Sequence, residues 1–101
     1  MSGVSYPFRY AYETVAASQT GQVLGTAGAP GDYLHRVIAT VSTSGANGVV
    51  TLLDGATSIP LLPASTAIGV YSIDIEAAAV TVWKITTGSA ATAVAVGIFS
   101  V

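Results

Sequence analysis

The sequence predicts an all-β protein, a sandwich or barrel of about eight short strands. Three observations carry that expectation. Val, Ile, Thr and Tyr recur in runs with period-2 alternation, the repeat of a strand with two different faces. Gly, Pro, Asn and Asp cut those runs into short pieces. No window sustains apolar residues at i, i+3, i+4 and i+7, the repeat of a helix face. The one alanine cluster, Ala77-Ala78-Ala79, is too short to hold a helix alone.

In chain order, two weaker strands are expected at 14–17 and 22–24, followed by a Gly/Pro-rich loop at 25–31. The middle reads as a meander. Strands at 33–42, 49–53 and 57–62 are separated by Asn47-Gly48 and Asp54-Gly55. Both pairs suit type I′ turns, whose two central residues need positive φ. Pro60 has no N–H to give, so its strand is expected at a sheet edge or with a break. The clearest strand is 68–76. Tyr71, Ile73 and Ile75 point one way, and Ser72, Asp74 and Glu76 the other. The stretch 80–87 carries apolar groups on both faces, which predicts cover on both sides. A turn at Gly88-Ser89 leads to 92–101, again two-sided, with Val94, Val96 and Ile98 opposite Ala95, Gly97, Phe99 and Val101.

The chain has 101 residues, the usual size of one domain. Hydrophobic residues make up 51% and charged residues 8%, against roughly 25% charged in an ordinary soluble domain. Disorder requires the opposite balance. Such a chain can build a core, but its surface must be largely Ser, Thr, Ala and Gly. A surface with so little charge tends to associate. The formal charge is −2, and the basic side chains are Arg9, Arg36 and Lys84. Phosphate-backbone binding needs several cations acting together, so no nucleic-acid partner is expected. The same scarcity argues against an anionic membrane surface. The most apolar tract, 90–101, is short and alternating, so no membrane span is expected. The segment MSGVSYPFRY lacks the basic and apolar regions of a signal peptide.

The residue inventory predicts a protein that is not an enzyme and carries no cofactor. Without cysteine there is no disulfide, thiolate zinc site or thiol nucleophile. His35 is the only histidine, and Asp32 is too near along an extended strand to orient it as a base. Asp74 and Glu76 share a strand face about 7 Å apart by the strand rise, on what reads as the solvated side. No Asp-x-Asp-x-Asp-Gly loop is present for calcium, and no lysine follows Gly25-Thr26-Ala27-Gly28 as a phosphate loop needs.

One segment points to a partner. Tyr6, Phe8, Tyr10 and Tyr12 alternate with Pro7, Arg9 and Ala11, so an extended backbone puts all four rings on one face. The stripe reads either as an arm that docks on another chain or as a strand that packs on its own domain. Pro7 disfavours a central strand and points to an arm or an edge. Residues 1–13 are therefore set apart as an N-terminal extended arm or edge strand, and 14–101 as the sandwich domain. Tyr6, Phe8, Tyr10 and Tyr12 are the candidate partner contacts.

Residues 31–38 (GDYLHRVI), 51–55 (TLLDG) and 83–88 (WKITTG) together resemble small structural proteins of tailed bacteriophages, among them capsid decoration, or cement, proteins. The resemblance covers roughly residues 16–100 and leaves the aromatic stripe outside it. It implies a single-domain, jelly-roll-like β-sandwich of about eight antiparallel strands, a homotrimer, and a place on the capsid surface against the major capsid protein. The expected mechanism is burial of surface across capsid subunit joints. The rival expectation is a trimeric tail-fibre or receptor-binding module for a surface glycan, which calls for an exposed aromatic beside polar loops. Trp83, the only tryptophan, discriminates the two.

Overall fold

A computed structural model of the chain describes residues 10–25, 28–43 and 47–99. It contains eight strands: β1 (Ala11–Val15), β2 (Gln22–Val23), β3 (Tyr33–Val41), β4 (Val50–Asp54), β5 (Thr57–Leu62), β6 (Gly69–Ala78), β7 (Trp83–Thr87) and β8 (Ala91–Ile98). They form two four-stranded sheets, in the orders β1-β8-β3-β6 and β2-β7-β4-β5. Every pairing is antiparallel. Each strand of the first half pairs with one of the second: β1 with β8, β2 with β7, β3 with β6, and β4 with β5. A long hairpin rolled up in this way is a jelly roll.

The inner faces follow the alternation. Leu34, Val37, Ala39 and Val41 of β3 are buried, as are Val50 and Leu52 of β4 and Trp83 and Ile85 of β7. β8 presents Ala91, Ala93, Ala95 and Gly97 inward, all small. It lies between β1 and β3. Ala91, Ala93 and Ala95 share one buried cluster with the larger Leu52, Trp83 and Ile85 of the second sheet. The Trp83 indole joins the layers directly, because Nε1 donates to the carbonyl oxygen of Asp32 at 2.9 Å.

Three details differ from the sequence reading. First, the middle of the chain is not a meander. β3 and β4 lie in different sheets, so the segment holding Asn47-Gly48 is a crossover rather than a hairpin turn. There Gly48 N–H donates to Ala64 O at 3.2 Å, and Gly88 N–H donates to Val49 O at 2.8 Å. Second, Asp54-Gly55 does close a hairpin, between β4 and β5. Its two central residues are Gly55 and Ala56, and only Gly55 has positive φ, at 61°. That is the II′ pattern, not I′, because Asp54 ends the strand instead of entering the turn. Third, the strand expected at 80–87 begins only at Trp83. Val80 is 81% exposed and precedes the strand, and the outward positions of β7 are Lys84 and Thr86, so its outer face is not apolar. Pro60 lies opposite Thr51 in β5, an edge strand, beside a register shift. Both features suit a residue with no N–H.

Candidate interaction surface

The outer face of the first sheet is built by the residues between the inward ones. β8 turns out Thr92, Val94, Val96 and Ile98. Opposite them stand Tyr12 and Thr14 of β1, and Tyr33, Arg36, Ile38 and Thr40 of β3. β6 adds Val70, Ser72 and Asp74. One cross-strand row therefore reads Tyr12, Val96, Arg36, Asp74, and the next reads Thr14, Val94, Ile38, Ser72. The apolar members are exposed or half-buried. Tyr12 is 74% and Val70 69% exposed.

The charges on this face are few. Arg36 Nε lies 3.0 Å from Asp74 Oδ1, with both side chains open to solvent. Such a pair is worth only about 0–1 kcal/mol, so its main effect is to neutralise the middle of the face. Asp74 and Glu76 do share the exposed side of β6, but Asp74 is tied to Arg36 rather than paired with Glu76. Among the described residues, no group of three or more His, Asp or Glu side chains is placed to hold a metal ion.

At one end the sheet is bent by two bulges. His35 is an extra residue of β3 relative to β8, between Leu34 opposite Gly97 and Arg36 opposite Val96. β6 adds one more, because Ile75 and Glu76 together stand against His35. Glu76 takes a φ of 53° to do so. Each bulge raises the local twist and re-aims a side chain. The result is a ring cluster. The Tyr10 ring stacks on His35 with centroids 4.7 Å apart and planes 17° apart, and it lies 6.2 Å from the Tyr33 ring. Tyr33 Oη and His35 Nδ1 are 3.3 Å apart. Partial burial, and then the neighbouring Tyr10 and Glu76, hold the Tyr33 hydroxyl above the ordinary tyrosine pKa.

The aromatic stripe is thus divided. Tyr10 packs on its own sheet, Tyr12 projects from the β1 edge, and Tyr6 and Phe8 lie outside the described residues. Sequence reasoning passed over Tyr33 and His35 as its stacking partners, since more than twenty positions separate them from Tyr10 and no local signal joins them. It also gave no surface role to Ile38 and Val70. The two-sided pattern of β8 was the signal that could have revealed the face.

Compared with known proteins, the chain matches no family model, no curated protein and no solved structure.

Proposed function

We propose that the chain is a structural protein of a virus shell, a capsid decoration protein that acts by burying surface across subunit joints. The observation that supports this most is the outer face of the first sheet. Tyr12, Val94, Val96, Ile98, Ile38 and Val70 form a broad, weakly charged surface around one neutralised ion pair. Contiguous apolar surface of this kind marks interaction sites on folded proteins. The jelly roll is also an architecture that viral capsid domains use, which agrees with the resemblance without identifying the partner. The partner is the major capsid protein of a tailed phage, and two-chain and three-chain assemblies both satisfy the proposal.

The glycan-binding reading calls for an exposed aromatic beside polar loops. Trp83 is 3% exposed and bonded into the interior, which weakens that reading.

Immunogold microscopy of virions from the virus that carries this sequence tests the proposal, with an antibody raised against the chain. Label over the shell is the expected result, and it should fall when Val96→Glu replaces the wild type. Absence from virions, or label confined to the tail, would overturn the proposal.

A further inference from the structure

The edges of the two sheets are unequal. A sheet edge presents unpaired N–H and C=O groups, and folded proteins normally blunt it. β2 is two residues long. β5 carries Pro60 and a register shift. β1 has an inward-turned carboxylate, Glu13, opposite Ala95. Its Oε2 accepts from Gln22 Nε2 at 2.8 Å and its Oε1 from Gly25 N–H at 2.7 Å. Those bonds close the side of the sandwich where β1 and β2 end the sheets. β6 ends the first sheet on the opposite side and has ten residues. Its one irregularity, at Glu76, lies near its C-terminal end. From Gly69 to Asp74 it is a regular edge.

The side chains along that edge are apolar where they turn inward. Tyr71, Ile73 and Ile75 are packed on the core yet only partly buried, as is Leu61 of β5, and Ile59 of β5 is exposed. They line the opposite side of the sandwich, where, among the described residues, no side-chain hydrogen bond joins β5 to β6.

We infer that β6 is a joint between two copies of this chain, its edge pairing antiparallel with β6 of the second copy about a twofold axis at Ser72. Two observations select a second copy as the occupant. The pattern is self-complementary in that register, with Tyr71 opposite Ile73 of the other copy, and the reverse. Aromatic and β-branched side chains form favourable cross-strand pairs. The two Asp74 carboxylates are kept apart, each opposite Val70 of the other copy, so no like charges face one another. In this register Gly69 to Ile75 of one copy face the same seven residues of the other, and seven residues at about 3.3 Å each, on an edge roughly 20 Å deep, give a face near 460 Å², at the weak end of specific interfaces. A single added strand would leave most of that depth uncovered.

The joint stands apart from the shell proposal, and either can fail without the other. The chain's lack of cysteine makes a direct test available. In Ser72→Cys the two introduced thiols face each other across the axis, with Cβ atoms about 4.5–5.5 Å apart. Mild oxidation is expected to give a disulfide-linked pair. Thr92→Cys, exposed on β8 in the interior of the same sheet, is expected to stay a single chain. Ser72→Lys places two ammonium groups opposite each other while its side chain remains in solvent. Its sedimenting mass is expected to fall from two chains to the 10.1 kDa of one, with the β-sheet circular dichroism of the wild type retained. The inference is overturned if the wild type sediments as one chain or three, or if Ser72→Cys links no better than Thr92→Cys. It is overturned as well if Ser72→Lys still pairs, or if only deletion of residues 1–9 abolishes pairing.

Discussion

Trp83 and Asp32 hold the two sheets together at a single buried point. The indole N–H meets the Asp32 carbonyl oxygen at 2.9 Å, and the same oxygen accepts Ala79 N–H at 2.8 Å. Trp83→Phe removes one of those two bonds and leaves a void where the larger ring stood. The carbonyl keeps Ala79, so the loss is chiefly volume and one hydrogen bond. We expect a destabilisation of about 2–3 kcal/mol, read as a lower urea midpoint with unchanged m. A change within 0.5 kcal/mol would show that the indole is not an interior anchor.

Asp54 ties the hairpin after β4 to the segment entering β7. Its Oδ2 accepts Val80 N–H at 2.9 Å, and its Oδ1 accepts Thr81 and Val82 N–H at 2.8 and 3.2 Å. Those backbone donors hold its pKa below the ordinary 3.8, with Val80 and Thr81 as the largest causes. A carboxylate with a depressed folded pKa contributes stability above its unfolded value, and loses it as pH falls through the folded one. Asp54→Ala should cost roughly 1–2 kcal/mol at neutral pH, the scale of losing a helix cap. The difference between wild type and Asp54→Asn should shrink as pH falls below 3.8, and denaturant titrations across that range measure it. A difference that stays constant through acid would refute the carboxylate's role.

The strands were legible because burial imposes alternation. The inward set Tyr71, Ile73 and Ile75 could be read directly against Ser72, Asp74 and Glu76. Pro60 located an edge because a missing N–H has few tolerable places. What sequence could not show was which strands pair. β1 and β8 meet across some eighty residues, and no local preference encodes a partner at that distance. The Asn47-Gly48 error has the same origin. An Asn-Gly pair says that the chain bends, not whether it bends back into the same sheet or across to the other. The interaction face was half-legible. Tyr12 was singled out, yet Val96 and Arg36 enter its row only once β8 is inserted between β1 and β3.

Glu13 offers a test of how the β1 edge is closed. Its two carboxylate oxygens satisfy the Gln22 amide and the Gly25 N–H, and Gln22 Nε2 also lies 3.2 Å from Thr14 O. Glu13→Ala strands those donors in a partly buried place and should cost about 1–3 kcal/mol. Glu13→Gln keeps an acceptor for one of them and should cost less. Hydrogen exchange at Gly25 reads the local consequence, with the amide expected to lose protection in Glu13→Ala. Unchanged protection would mean that the edge is closed by other contacts.

Gly97 tests the bulge that re-aims His35. β8 and β3 approach so closely there that a Cβ on Gly97 would overlap the Tyr33 carbonyl oxygen and stand 3.1 Å from both Leu34 Cα and Phe99 Cζ. Gly97 lies opposite Leu34, next to the extra residue, so its bareness lets β3 press inward as the chain bulges out at His35. Gly97→Ala must push backbone against backbone, since neither Tyr33 O nor Leu34 Cα is the free end of a side chain. We expect a loss of about 1–3 kcal/mol from overpacking. The Tyr10, Tyr33 and His35 ring resonances should shift with it, because the bulge sets their stacking. Gly69→Ala is the matched control, since its Cβ would meet only Tyr71 ring atoms at 3.5 Å, an ordinary contact. Urea titration of the two variants, with ring proton spectra, separates the cases. Equal midpoints would mean that the approach of β8 to β3 does not require glycine, and that the bulge is held by the rings instead.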